Sequence, residues 1–241
     1  MKPTKPLGIK AYGSIGHLPN SRIGVGDHVV PPGQARICCE RTRDSKDVVI
    51  VQEKLDGACV AVAKIHDEIV PLGRVGYPWY TSPHQHVRAF GDWALTQEDR
   101  FYHLLHEGER IVGEWLALAH GTKYELWHEP FVPFDIMTGH ERLTVDAFLP
   151  RVSEYGFVPP QRIKVGPGAL SVSDAMSRLQ GSKHGAVDEI EGAVWRVERN
   201  GKVDFLAKYV RPDKVDGCYL PEISGQPAVW NWQPWESWTQ K

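Results

Sequence analysis

Lys54 ends an apolar, largely β-branched run, Val48-Val49-Ile50-Val51-Gln52-Glu53. Leu55-Asp56-Gly57 follows it, and a second apolar stretch, Ala58 to Ile65, leads away. A lysine between two strands, beside an acid and a glycine, is placed for covalent nucleophilic chemistry. Its amine reacts only when deprotonated, so that chemistry requires a pKa lowered by burial or by neighbouring cations. A lysine before a polar turn is more often a solvated strand end, and the reading depends on what the rest of the chain supplies. Arg110 to Ala117 is a strand pattern with Glu114 inside it, which is costly unless the carboxylate is paired or faces a polar cleft. Ile190 to Arg199, Asn200-Gly201 and Lys202 to Val210 read as a hairpin with a two-residue turn. If Arg199 faces Lys202, Ala193 faces Lys208 and Glu191 faces Val210. Glu191 and Lys208 then lie diagonally on one sheet face with small Ala193 between them, as a charged ligand would require. The ordinary alternative is a weak cross-strand salt bridge, and a one-residue register slip would put the two on opposite faces.

The elements that position these residues are interleaved. A helix is expected near Gly33 to Arg41 after Pro31-Pro32, then strands at Val48 to Val51, Ala58 to Ile65 and Ile69 to Leu72, the last two joined by a turn at His66-Asp67-Glu68. Residues 77–91 read as a loop. His84-Gln85-His86 within it could hold a metal, but no supporting Cys or third His stands at a useful spacing. Thr96 reads as the N-cap of a helix through His106, with Phe101, Leu104 and Leu105 inward. Thr144 to Tyr155 reads as an amphipathic helix with Thr144 as its cap, Gln161 to Val165 as a short strand, and Ser171 with Asp174 as the start of a helix ending at Gly181. Phe131 to Met137 is a further strand. Arg36, Arg41, Arg43 and Lys46 form a basic cluster, either a solvated face or a phosphate contact. Ser21 to Asp27 holds a G-x-G, but no strand precedes it, so a dinucleotide site is set aside and an ordered packing loop is expected.

The chain has 241 residues, 41% hydrophobic and 24% charged, with a formal net charge of -2. This describes a globular chain with a real core and excludes one that coats nucleic acid by charge alone, while leaving room for a local basic groove. Cys38, Cys39, Cys59 and Cys218 form no C-x-x-C pair, so structural zinc is not expected and a reduced compartment is. Met1 to Pro6 lacks a signal-like apolar core and no run reaches membrane-spanning length, so a cytoplasmic protein without a membrane partner is expected. Nine tryptophans are many for this length. Trp230, Trp232, Trp235 and Trp238 lie in a tail, Pro221 to Lys241, expected to pack as an irregular strap or, as the second reading, to offer rings to bases.

Taken in order, the segments resemble a known family. Lys54-Leu55-Asp56-Gly57 resembles motif I of the covalent nucleotidyltransferases, Gly73-Arg74-Val75-Gly76 motif Ia, and Val112-Gly113-Glu114-Trp115-Leu116 motif III. Phe134-Asp135-Ile136 resembles motif IIIa, Glu191 to Arg196 motif IV, and Leu206-Ala207-Lys208-Tyr209-Val210-Arg211 motif V. The chain most resembles ATP-dependent RNA ligases, small bacterial and phage-type members in particular, and His17 to Arg22 is similar to that group's leading part. The resemblance implies an α+β fold of two antiparallel sheets flanking an ATP cleft with helices outside. It implies a domain over residues 1–220, with 1–46 packed on it as an extension, and a tail over 221–241. It implies ATP and Mg2+ (or Mn2+) as cofactors and RNA ends as partners. Lys54 would form a lysyl-AMP, the AMP would pass to a 5′-phosphate on RNA, and a 3′-hydroxyl would expel it, as in RNA repair. Glu53, Leu55, Arg74, Glu114, Phe134 and Lys208 would bind ATP, with Glu114 on the ribose and Phe134 on adenine. Lys208 would hold the α-phosphate and help keep Lys54 neutral. Glu191 would hold the metal, and Asp56 would reach it through water. Motif V here lacks the family's frequent second lysine, a place that Arg211 or Lys214 could fill. A DNA nick ligase and an inactive nucleotide- or RNA-binding module are the alternatives. About thirty residues after Arg211 are too few for the additional barrel that DNA ligases usually carry, and a pure binder does not need Lys54.

Overall fold

The turn carrying Lys54 is the seam of the molecule. In the computed structural model, which describes residues 3–232, Lys54 ends one sheet and Ala58 begins the other. The elements in chain order are β1 (Gly16–His17), α1 (Pro32–Cys39), β2 (Asp47–Lys54), β3 (Ala58–Ile65), β4 (Glu68–Gly73), α2 (Gln85–Thr96) and α3 (Glu98–Leu104). They continue with β5 (Glu109–Trp115), β6 (Phe131–Thr138), β7 (Glu141–Arg142), α4 (Val145–Glu154), β8 (Arg162–Gly166), α5 (Val172–Arg178), β9 (Gly192–Arg199), β10 (Lys202–Val210) and α6 (Pro221–Ser224). Sheet I has the order β1-β10-β9-β2-β8 and sheet II the order β4-β3-β5-β6-β7. The expected α+β fold of two sheets is therefore present, with one departure from antiparallel pairing. The two-residue β1 pairs parallel with β10, because it belongs to the leading segment and enters from outside the hairpin.

Strand alternation decides what faces the seam. On β2, Val49 and Val51 turn into a core with Trp195 and Val197 of β9 and Ala175 of α5, while Gln52 and Lys54 turn toward the space between the sheets. On sheet II, Val60, Val62, Ile111 and Trp115 pack under α2, α3 and α4 against Phe90, Trp93, Phe101 and Phe148. The opposite parity sends Cys59 and Glu114 toward the same inter-sheet space. The β3–β4 hairpin turns at His66 and Asp67, with φ of 53 and 61, and the β9–β10 hairpin at Asn200 and Gly201, with φ of 51 and 72. Both are the left-handed pairs that a two-residue turn demands.

Three local expectations are corrected. Residues 77–91 are not a loop throughout. α2 starts at Gln85 because Val87, Phe90, Trp93 and Ala94 repeat at helical spacing and are buried. Thr96 consequently ends α2 rather than capping α3, and its hydroxyl donates to the Trp93 carbonyl at 2.6 Å. Thr144 does precede α4, yet its side chain makes no cap bond. The Val145 N–H goes instead to Glu198 at 2.7 Å. Ser171 caps α5 as expected, accepting from Asp174 N–H at 3.1 Å. Of the basic cluster, Arg43 is committed to Asp47 at 2.8 Å and Asp204 at 2.6 Å, an ion-paired face. Trp230 and Trp232 pack against the sheet II core, and Asn231 ties the strap down through Tyr124 N–H and the Leu116 carbonyl. Trp235 and Trp238 lie outside the described residues.

The seam is tight at Gly57. A Cβ there would lie 2.4 Å from the Trp115 carbonyl oxygen, a backbone atom that cannot swing aside. Gly57→Ala is expected to lower stability by about 1–3 kcal/mol, read by urea denaturation. An unchanged midpoint would mean that β3 and β5 separate there at no cost.

Candidate active site

A cleft of about 520 Å³ opens between the sheets, within the range of small-ligand sites. Lys54 lies in it. Its Nζ is 2.5 Å from Glu191 Oε2 and 3.4 Å from the Leu55 carbonyl oxygen. Burial acts to lower the amine's pKa, but Glu191, Glu114 and Asp56 outweigh it and hold Lys54 raised and protonated. This corrects the expectation of a lowered pKa. Lys208 is close enough for the two amines to repel, yet the three acids decide the charge on Lys54. The acids respond in turn: burial pushes Glu114 up to about 7 against the pull of Lys54, and raises Glu191.

The other expected residues divide into groups. Glu114, Phe134, Arg74, Lys208, Leu55, Asp56 and Glu191 all line the cleft. Glu114 Oε1 accepts the Gly57 N–H at 3.2 Å, which ties motif III to the lysine turn. Phe134 is presented by a bulge in β6: Val112 pairs with Asp135 and Gly113 with Pro133, so Phe134 is left out of the ladder. A bulge re-aims a side chain, and here it turns the ring toward the cleft, edge-on to Tyr12 at 5.1 Å. Arg74 is exposed. Leu55 is buried with Leu116, Tyr124 and Val132. Asp56 is engaged, its Oδ2 accepting from Gly121 N–H at 2.8 Å and lying 2.9 Å from Lys214 Nζ. Lys214, 5% exposed, is thus the cation at the site's edge, whereas Arg211 turns away to Glu189, Asp213 and the Ile190 carbonyl.

The hairpin argument needs correction. A register shift between Val203 and Phe205 places Lys208 opposite Val194, and Ala193 opposite Tyr209. Ala193 faces the core of sheet I. Glu191 still converges with Lys208 on the cleft, because it precedes β9 and strand alternation does not bind it. Glu53 also belongs to the cleft lining, but its side chain is buried away from Lys54's ion pair. It is 1% exposed, takes the Ser182 hydroxyl at 2.6 Å, and burial raises it from 4.5 to about 7. The folded protein therefore binds a proton there that the unfolded chain has lost. Stability falls as pH rises from about 4.5 through about 7. Glu53→Gln is expected to flatten that decline and to gain up to about 3 kcal/mol above neutrality, measured by urea denaturation across pH. An unaltered pH profile would rule Glu53 out as its source.

Sequence reasoning missed the contribution of the leading segment. The loop through Ser21 to Asp27, expected only to pack, forms part of the cleft. Asp27 stands 3.0 Å from His17 Nε2 and 3.6 Å from Lys208 Nζ. Arg22 reaches Asp216 at 2.6 Å between two segments that line the cleft. An acid in a glycine-rich turn was the available signal for Asp27. Arg196 was also missed: its guanidinium lies 2.5 Å from Asp135, joining β9 of sheet I to β6 of sheet II within the cleft wall. Among the described residues, no group of three His, Cys, Asp or Glu is placed to hold a metal alone, His84 and His86 included.

Two sheets thus meet at the turn that carries Lys54, with the cleft between them. A family model described as RNA ligase matches residues 47–210, and the chain belongs to that family. Among solved structures, a variant of the Naegleria gruberi RNA ligase with ATP and Mn is similar at TM-score 0.51 and 14% identity, over 90% of this chain and 64% of that one. A second variant, with AMP and Mn, gives 0.50 and 14% over 84% and 60%. An archaeal ATP-dependent RNA ligase gives 0.48 and 21% over 68% and 42%. The chain thus spans less than half the length of the archaeal ligase. No curated protein matches. No helix among the described residues is long and apolar enough to cross a membrane.

Proposed function

We propose that this protein is an ATP-dependent RNA ligase acting through a lysyl-AMP. The observation that carries the reading is Lys54 at the sheet seam, 2.5 Å from Glu191 in a cleft that Lys208 also lines. Lys54 attacks the α-phosphorus of ATP. The Nζ–P bond forms, the bond from that phosphorus to the bridging oxygen breaks, and pyrophosphate leaves with the electron pair and with the proton that the attacking Nζ sheds. The AMP then passes to a 5′-phosphate on RNA, and a 3′-hydroxyl displaces it to seal the strand, a repair chemistry. Positioning and charge neutralisation carry each step.

The donor set suits Mg2+ or Mn2+. Such a cation uses one or two carboxylates together with phosphates and waters rather than an all-protein cage, and Glu191 is a buried carboxylate whose present partner is the reacting amine. Asp56, held through Oδ2, has its other oxygen for a water. A cation held by Glu191 and, through water, by Asp56 would neutralise phosphate charge. With Glu191 engaged by such a cation, Lys54 would lack the ion pair that keeps it protonated. Lys208 exchanges Asp27 for the α-phosphate. Glu114 takes the ribose hydroxyls, Phe134 stacks on adenine, and the backbone of Glu53 and Leu55 frames the base. Arg74 meets phosphate at the mouth, and Lys214 is the second cation. We read residues 1–220 as one catalytic unit with the tail as a strap, in a cytoplasmic setting.

Intact mass after incubation with ATP and magnesium is expected to rise by one AMP, and 5′-phosphorylated nicked RNA is expected to discharge it. No adduct on protein first stripped with pyrophosphate would overturn the reading, and discharge by nicked DNA alone would make it a DNA ligase.

A further inference from the structure

Three histidines from two distant segments meet beside the cleft. His84 and His86 stack with ring centroids 5.5 Å apart, and His86 meets His120 edge-on at 5.2 Å. His120 lines the cleft together with Lys54 and Asp56, whereas His84 is exposed, so the row runs from the nucleophile's chamber to solvent. Among the described residues, no carboxylate forms a hydrogen bond or close ion pair with any of the three rings. The buried His120 Nε2 has no hydrogen-bond partner. A buried ring nitrogen without a partner is costly and calls for a ligand. The row also sits on the first turn of α2, a 12-residue helix whose N-cap, His84, makes no side-chain cap bond and whose first turn holds no acid. Unpaired N–H groups and the helix dipole favour an anion there. The set does not suit a metal.

We propose that His84, His86 and His120 form a phosphate subsite at the outer end of the cleft. The subsite takes either the terminal phosphates of the nucleoside triphosphate or the terminal phosphate of the polynucleotide. The inference rests on the cleft being a nucleotidyl-transfer site. Imidazoles suit a transient phosphate. Neutral, they let pyrophosphate leave; protonated, they bind it. Burial and the neighbouring rings hold His86 down at about 3, and burial lowers His120 although Asp56 and Glu222 oppose it. The other charged groups facing His120 are His84 and Lys54. A bound phosphate raises the proton affinity of His86 and His120, so binding takes up protons and tightens as pH falls.

The test compares wild-type protein with His120→Gln and with the His84→Gln/His86→Gln double variant, each shown folded by its thermal transition. The expected result, if nucleotide phosphates occupy the row, is about a tenfold rise in the pyrophosphate concentration that half-strips AMP from the adenylylated protein, about 1.4 kcal/mol of binding. If the polynucleotide end occupies it, the rise of similar size appears in the 5′-phosphorylated RNA needed for half-maximal AMP discharge. Unchanged half-saturation for both ligands in both variants would overturn the subsite. The wild-type adduct tests the underlying reading separately. Should no adduct form, titration of the unreacted protein with inorganic pyrophosphate and, separately, with 5′-phosphorylated RNA, followed by NMR of the imidazole rings, still decides the subsite. Shifts of His86 and His120 support it, and their absence overturns it.

Discussion

Lys54→Arg is expected to form no AMP adduct at any ATP concentration while keeping the wild-type fold. The guanidinium stays protonated, so it can still pair with Glu191 but cannot attack phosphorus. Lys54→Ala is expected to lose the adduct as well, and to lose stability with it. It leaves Glu191, 7% exposed, without the 2.5 Å partner that compensates its burial, and close enough to Glu114 and Asp56 to feel both. An uncompensated buried carboxylate costs several kcal/mol unless it takes a proton. The two substitutions therefore separate the nucleophile from the ion pair: mass spectrometry reads the first, urea denaturation the second. An AMP adduct on Lys54→Arg would place the nucleophile elsewhere and remove the basis of the mechanism.

Asp135→Ala is expected to cost about 3–5 kcal/mol in urea denaturation, the range for breaking one side of a buried ion pair. Asp135 is 1% exposed and accepts from three groups: Arg196 at 2.5 Å, Arg142 at 3.2 Å and Tyr12 at 2.7 Å. Removing it leaves Arg196, 4% exposed, with Glu198 at 2.8 Å and the Leu143 carbonyl but without its bond across the sheets. The pair is also a clasp, since Asp135 belongs to sheet II and Arg196 to sheet I. A loosened clasp lets the sheets separate beside Phe134, so the ATP concentration for half-maximal adduct formation is expected to rise in Asp135→Asn, which keeps the volume. A destabilised protein with unchanged ATP dependence would make the clasp structural only.

Much of this architecture is legible residue by residue. Positive-φ turn residues at His66-Asp67 and Asn200-Gly201 mark both hairpins. Alternation on β2 and β5 tells which side chains leave the core, and Glu114 inside an apolar strand announces a polar cleft. What escaped was non-local. The helical spacing of Val87, Phe90 and Trp93 was hidden by a proline- and histidine-rich lead-in. The bulge near Asp204 changed the β9–β10 register after the turn had been read correctly.

By itself, the sequence determined the hairpin turns, the main strands of both sheets and the order of chemistry-bearing residues, because dihedral preference and two-residue periodicity act within a few residues. Only the tertiary structure decided the charge on Lys54, the pairing of Asp27 with Lys208, the clasp between the sheets and the meeting of His86 with His120. Each of these depends on a distance between segments far apart in the chain. One inserted residue in a strand reverses the parity of all that follow it, and a pKa is the sum of burial and every charge within a few ångströms. Neither quantity is carried by any single stretch of the chain.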